Sequence, residues 1–421
     1  GYSTYMTGKW HLGLEVDQSP RARGFERYFS MLDGSGSHFA DMLGGDAYRQ
    51  LTVYGEDGRR VHELPEHFYS TDYYTDRMLE YIDSGRDKGK PFFAYVAYAA
   101  PHWPLQARGK YLEKFRGRYD AGYGQLRWER FERMKELGLV IGDMQLPAMD
   151  PIIPAWNSLP VQEQRIEARA MEVHAAMVNN MDNNIGRLLR YLKRIGEYEN
   201  TLVLFLSDNG ADGFSRHADW YKEWAPRFDN SYENIGRPGS FVLYHSGWAQ
   251  AAETHLSFYK GYMREGGIRK MGIARLPAGH GGANPGSVNG SVVSVMDILP
   301  TMLDLAGVDV AGNRALAEQI SGRSLLPVLT GNAGQVRDET DALGMEMLGQ
   351  RAVIKGDWKL VSLGKPPVEG WTLFNLGDDP AEQVDLSASH PEKFNELMAE
   401  WDQYVIDNNV VLPEGPVRLV E

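Results

Sequence analysis

"PFFAYVAYAAPHWP", residues 91–104, decides the fold. Its apolar run is unbroken, without the alternation of a half-wetted strand. Such a run suits a strand buried on both faces, as in a parallel sheet. It ends in a loop with Pro101, His102 and Pro104. "TLVLFLSDNGA", residues 201–211, repeats the plan: a short apolar strand running straight into polar residues. Between and before these runs lie helices. "TDYYTDRMLEYIDSG", 71–85, reads as a helix capped at Ser70 or Thr71. Ala170, Val173, Met177, Met181, Ile185, Leu188, Leu192 and Ile195 recur at three- and four-residue steps, one apolar helical stripe stopped near Gly196. "VVSVMDILPTMLDLAGV", 292–308, reads as a further strand and helix. Helix–strand alternation of this kind predicts an α/β fold, a mixed and mostly parallel sheet sandwiched by helices.

The remainder is organised around that core. Residues 110–160 mix charged helical stretches with Pro147, Pro151, Pro154 and Pro160, and are expected to form an insertion beside the cleft. After "SLLPVLTGNAG" (324–334) the character changes. "RAVIKGDWKLVSLG" and "WTLFNLGDDPAEQVDL" read as hairpin strands, and "PEKFNELMAEWDQYVI" as a closing amphipathic helix. The expected division is therefore a catalytic part over 1–334 and a smaller α+β C-terminal domain over 335–421. A length of 421 residues suits one large domain plus a smaller one.

Composition narrows the function. With 43% hydrophobic and 24% charged residues the chain is globular. A net charge of -13, from 44 basic and 57 acidic side chains, disfavours nucleic acid as a partner. No apolar run is long enough for a transmembrane helix, so no membrane partner is expected. The chain has no cysteine, which removes disulfides, thiolate metal sites and cysteine nucleophiles and leaves the compartment undetermined. The sequence leaves the oligomeric state open.

Four places carry candidate chemistry. Lys9 and His11 lie in "GKWHLG", flanked by glycines that let a backbone approach a ligand closely. In an extended segment residues i and i+2 point the same way, so ammonium and imidazole could address one anion; an incidental pair on a surface loop is the alternative. His102 follows the apolar run, where functional residues of open α/β sheets gather, and an imidazole there suits proton donation to a leaving group; a histidine packed under a loop is the alternative. Asp208 and Asn209 end the second strand. A carboxylate and an amide oxygen are hard ligands suited to Ca²⁺ or Mg²⁺, although Asn-Gly is also a common turn. Lys260, in "FYKGYMREGGIR", precedes a glycine and an EGG turn. It reads either as a second cation for an anionic group or as an exposed loop lysine. Cations and a metal around one anion are a standard means of helping a sulfuryl or phosphoryl group leave.

Taken together, these landmarks resemble the sulfatase family of the alkaline-phosphatase-like superfamily. "GYSTYMTGKWHLG" (1–13) resembles the second sulfatase signature. "APHWPLQA", "NTLVLFLSDNGA" and "YKGYMREGGIR" match later landmarks. "ARGFERYFSMLDGSGSHF" and "FDNSYENIGRPGSFVLYHSGWAQAAETHLSFYKG" are similar to bacterial arylsulfatases, and the likeness runs over the whole chain. The resemblance implies an alkaline-phosphatase-like fold and hydrolysis of a small-molecule sulfate ester. It implies that Lys9 binds a sulfate oxygen and that His11 contacts the nucleophile. It further implies that His102 and Lys260 bind sulfate and assist departure of the alcohol, and that Asp208 and Asn209 ligate Ca²⁺. The family nucleophile is formylglycine, made from the Cys or Ser that heads a Cys/Ser-x-Pro-Ser-x-Arg-like motif.

That motif, and the aspartate pair that completes the family's metal site, belong before "GKWHLG". Ser19 in "SPRAR" has the wrong order to supply it. The expectation is therefore a chain lacking the nucleophile loop and half of the Ca²⁺ site, and inactive by itself. A second departure is "GGIRKMGIARLPA", where relatives have Val-Pro after the arginine. A phosphonate or phosphate ester hydrolase of the same superfamily is one alternative, since tetrahedral anions share this cradle. A non-catalytic sulfate-ester-binding protein is another, though it has less need of a proton donor such as His102.

Overall fold

In the computed structural model, which describes residues 1–45, 50–86, 89–214, 219–282, 285–364 and 370–413, the chain divides into two compact units. Among the described residues, the first comprises 1–195 and 211–255, the second 196–210 and 256–413.

The first unit is built on strands β1 (Ser3–Lys9), β2 (Arg27–Met31), β3 (Tyr54–Glu56), β4 (Arg59–Val61) and β5 (Phe92–Ala97), in the order β4-β3-β2-β1-β5. β1 runs parallel to both β2 and β5, with Tyr5 opposite Arg27 and Gly8 opposite Ala97, while β3 and β4 add antiparallel pairs at the other edge. The sheet is mixed and mostly parallel, as expected. The helix Ser70–Gly85 makes the crossover into β5 and packs on β1. Its Tyr74 and Tyr81 are fully buried, and Tyr74 joins Phe29, Tyr54 and Phe68 in one aromatic core. Each such side chain stabilises the fold by roughly 1.5–3 kcal/mol through burial.

Three local expectations change. The helix begins at Ser70, but its N-cap is Tyr69 and no side chain caps it, so neither Ser70 nor Thr71 does that work; both are buried as helical residues instead. β5, an edge strand, is not buried on both faces: it alternates between half-buried and exposed residues, with Phe93 at 37% and Tyr95 at 48% on the uncovered face. Residues 292–294 form no strand. Ser294 and Asp297 cap each other reciprocally there, which starts a helical turn leading into the helix Ile298–Leu305.

The apolar stripe lies on a helix longer than the stripe itself, Val161–Arg194, which starts directly after Pro160. Ala170, Val173 and Met177 are buried on it, and Asn184 donates to Asp72 of the helix Ser70–Gly85 at 2.7 Å. The helix Gly122–Glu136 packs beside it, within the segment read as an insertion. Tyr123, Trp156 and Trp248 meet edge to face there, at ring separations of 5.2–5.6 Å.

In the second unit β6 (Val203–Leu206) pairs antiparallel with β7 (Gly272–Arg275). Strands β8 (Ala342–Met347), β9 (Gln350–Lys355), β10 (Trp358–Ser362) and β11 (Trp371–Asn375) form an antiparallel sheet in the order β11-β10-β9-β8. The helix Pro391–Asn408 covers it, seating Leu397 and Trp401 on Val353, Leu360 and Leu373. Among the described residues no helix is long and apolar enough to cross a membrane.

Candidate active site

Lys9 is the last residue of β1, and the chain leaves the extended conformation almost at once. His11 has a φ of +52°, so the side-by-side relation expected of residues i and i+2 in a strand does not hold beyond Lys9. Gly8 also differs from expectation. Its φ is +111°, and a Cβ there would overlap the Ala97 carbonyl oxygen. The glycine lets β5 approach, not a ligand. The exposed His11 imidazole lies over Gly34, where a Cβ would come within 2.6 Å of the ring.

His102 stands in the loop after β5, between two cis X-Pro bonds, Ala100–Pro101 and Trp103–Pro104. Its backbone N–H donates to the Ala99 carbonyl at 2.9 Å. Ring Nδ1 lies 2.7 Å from the Trp103 carbonyl oxygen. A carbonyl only accepts, so Nδ1 carries the proton and Nε2 is the position that gains and loses one. Nε2 is 3.9 Å from Asp212 Oδ2, with the imidazole side chain 21% exposed and the carboxylate 10%. Asp212 is itself held by the Trp103 indole N–H at 3.1 Å.

A buried lattice fixes this loop. His38 Nε2 donates to the His102 carbonyl at 3.3 Å, and its Nδ1 accepts from Ser70 Oγ at 2.6 Å. Burial pushes the His38 imidazole down to about 4, so it is neutral near pH 7 and this tautomer follows. Gln106, fully buried, accepts from the Ser37 hydroxyl and the His38 N–H and donates to the Ser240 carbonyl. Asp212, His38, Gln106 and Gly34 are the functional neighbours that the sequence reading missed. Only Asp212 left a local signal, a second carboxylate four residues after Asp208 in "SDNGADG".

The other three candidates meet within the second unit. Asp208 and Asn209 follow β6, and Gly210 N–H donates to the Gly267 carbonyl at 2.9 Å. A Cβ on Gly210 would lie 2.9 Å from the Lys260 backbone nitrogen and would overlap the Gly266 carbonyl. The Asp208–Asn209 turn and the Lys260 loop are therefore in backbone contact at one corner. Asp208 is exposed. Asn209 Nδ2 donates to the Gly210 carbonyl at 2.9 Å, which leaves Oδ1 as the end able to face a cation. Two hard oxygens side by side fit Ca²⁺ in kind. They do not complete a site, and no group of three or more His, Asp or Glu that could hold a metal occurs among the described residues. Ser19 is excluded as a nucleophile by its surroundings: it is 1% exposed and its Oγ donates to the Val16 carbonyl at 2.6 Å.

The sulfatase family profile matches residues 1–308. The chain belongs to the sulfatase family. It is similar to an uncharacterized sulfatase of Schizosaccharomyces pombe, with 38% identity over 98% of this chain and 76% of the relative. It is equally similar, at 38%, to an arylsulfatase of Klebsiella aerogenes over 76% of this chain and 68% of the relative. The crystal structure of Ps i-CgsB shares the fold, with a TM-score of 0.64 and 23% identity over 97% of this chain and 72% of that one. The sulfatase is thus a hydrolase of sulfate esters on an alkaline-phosphatase-like fold.

Proposed function

We propose that this sulfatase is of the arylsulfatase type, cleaving small-molecule sulfate esters to a phenol or alcohol and sulfate. The observation that carries the reading is the His102 ring. With Nδ1 committed to the Trp103 carbonyl, Nε2 is the ring nitrogen placed to exchange a proton. In this reading the Lys9 and Lys260 ammonium groups neutralise and orient the sulfate oxygens. His102 Nε2 holds the proton that passes to the ester oxygen as the S–O bond breaks, so the alcohol leaves neutral. His11 would contact the nucleophile. Asp208 and Asn209 supply two of the oxygens for Ca²⁺. When present, Ca²⁺ adds positive charge at the sulfate oxygens and formylglycine supplies the attacking oxygen. The name of the Klebsiella relative, arylsulfatase, supports an aryl ester as substrate.

The test is turnover by the purified full-length gene product on 4-nitrophenyl sulfate, phenylphosphonate monoester and 4-nitrophenyl phosphate. The highest kcat/KM is expected on the sulfate, with a large loss in Lys260→Ala and in Lys9→Ala. Faster turnover of the phosphonate or phosphate would replace the reading with the other hydrolase of the superfamily. Tight sulfate-ester binding with no turnover of any of the three would replace it with a binding protein.

A further inference from the structure

Lys359 lies in β10 with none of its side chain exposed. Its ammonium is 2.7 Å from Glu265 Oε1 and 2.9 Å from Glu382 Oε1. Both carboxylates are buried as well. The second oxygen of Glu382 accepts two bonds, from Ser257 Oγ at 2.7 Å and from the Glu265 backbone N–H at 2.8 Å. Ser257 and Glu265 are the two ends of the loop that has Lys260 near its middle. Glu382 therefore holds both ends of that loop, and Lys359 holds Glu382.

Further bonds close the frame. Gly266 N–H donates to the Ser257 carbonyl at 2.8 Å. Gln350 donates to the Gly261 carbonyl at 2.6 Å and accepts from Met263 N–H at 3.1 Å. Arg264 donates to the Glu382 carbonyl at 3.1 Å, with its guanidinium 4.5 Å from the centre of the Phe374 ring. Arg269 also comes within 3.8 Å of Glu265 Oε2, so three cations, Lys359, Arg264 and Arg269, face the two carboxylates.

Stability alone does not explain this cluster. Taking charges out of water is costly, and buried ion pairs replaced by well-packed apolar side chains of similar volume often leave stability unchanged or improved. What an apolar substitute cannot supply is direction. The bonds from Glu382 fix where the chain enters and leaves the loop, and hence where the Lys260 stem begins. We propose that Lys359 is a positioning residue for Lys260: through Glu265 and Glu382 it clamps the loop 257–265 so that the Lys260 ammonium meets the sulfate group. The proposal rests on the reading of Lys260 as a sulfate-binding cation.

The experiment measures kcat/KM on 4-nitrophenyl sulfate for the full-length protein, with thermal melts of each variant. Lys359→Met alone strands two buried carboxylates and is prone to unfolding. The informative variant is therefore Lys359→Met with Glu265→Gln and Glu382→Gln, which removes charge and keeps volume. Its melting temperature should stay near wild type while kcat/KM falls about 10²-fold, the scale of a misplacement near 1 Å. Added to Lys260→Ala, the same triple change should cost no more than about threefold, because the group it positions is gone. Four results overturn the proposal. One is a folded triple variant with wild-type kcat/KM, and another is a full loss that persists on top of Lys260→Ala. A triple variant melting far below wild type assigns the cluster to stability. A Lys260→Ala enzyme with wild-type kcat/KM removes the underlying reading of Lys260 instead, and is told apart by that single variant.

Discussion

Replacing His102 by alanine separates a proton donor from a packing residue. The structure sets what each role is worth. Ring Nδ1 bonds to the Trp103 carbonyl, and the side chain is 21% exposed. Its loss should cost about 1 kcal/mol of stability. The backbone bonds at 102, to Ala99 and from His38, survive in an alanine. The chemical loss is larger. General acid catalysis contributes roughly 10²–10⁴-fold, which is about 3–5 kcal/mol of barrier at 1.36 kcal/mol per decade. Asp212 Oδ2 stands 3.9 Å from Nε2 and faces that edge of the ring.

The loss should depend on the leaving group. Phenol titrates near 10, like the tyrosine side chain, so phenyl sulfate needs its oxygen protonated as it departs. A nitrophenolate is a far weaker base and leaves without help. His102→Ala should therefore lose about 10²–10⁴-fold in kcat/KM on phenyl sulfate and much less on 4-nitrophenyl sulfate. The assay is a series of substituted phenyl sulfates on wild type and variant, with thermal melts alongside. The variant should show a steeper dependence on leaving-group basicity and a small melting shift. Equal losses across the series, or a variant that fails to fold, would refute the proton-donor role.

Three further outcomes follow from the geometry. Asp208→Ala in the full-length protein should weaken Ca²⁺ binding at least about tenfold, since it removes a charged oxygen from a shell of roughly six to eight; an unchanged calorimetric isotherm places the ion elsewhere. Gly210→Ala should cost about 1–3 kcal/mol of stability and lower kcat/KM, because its Cβ would press on Gly266 and the Lys260 backbone; a variant with wild-type melting and turnover would show that this corner yields freely. Burial lowers both His38 and His174 to about 4. The unfolded chain therefore binds more protons between about pH 6.5 and 4, and stability should be full above that window and fall through it. Each histidine contributes about 3 kcal/mol to that fall. Urea unfolding across this range should show the slope, reduced by about half in His38→Gln; a flat profile would mean that both rings are hydrated.

Position along strands was legible in the sequence, and partnership was not. The apolar runs at 91–104 and 201–211 announced β5 and β6 as strands, although neither strand is buried on both faces. The residues that follow those strands were legible as well: His102, Asp208 and Asn209 stand where a polar residue interrupts an apolar run. The strand proposed at 292–294 failed because Ser294 and Asp297 satisfy each other locally and start a helix sooner. The glycine at 8 was read toward a ligand when its reason is a neighbouring carbonyl from residue 97. Gln106 was silent altogether. Its partners lie at Ser37, His38 and Ser240, up to 134 residues away, and no local pattern encodes a bond across that distance.

That silence has a consequence for how the His102 loop works. The His102 carbonyl and the outer edge of its ring face different groups, while ring Nδ1 is tied to the Trp103 carbonyl of the same loop. The His102 carbonyl is bonded by His38, a ring kept uncharged by burial and itself held at its backbone N–H by Gln106, so this tie does not depend on ionisation near neutral pH. The ring edge is governed by Asp212, a carboxylate that remains partly exposed. Under the proton-donor reading, a change in charge at Nε2 would fall on Asp212 and, through Nδ1, on the Trp103 carbonyl, and less on the buried bonds of His38 and Gln106. Such an arrangement would let the imidazole change form while most of the chain that carries it stays still, as the proposed role requires. Asp212→Asn tests this division: it should lower kcat/KM on phenyl sulfate while leaving the melting temperature close to wild type. A collapse in stability equal to that of a disrupted Gln106 would show that backbone and ring are held as one.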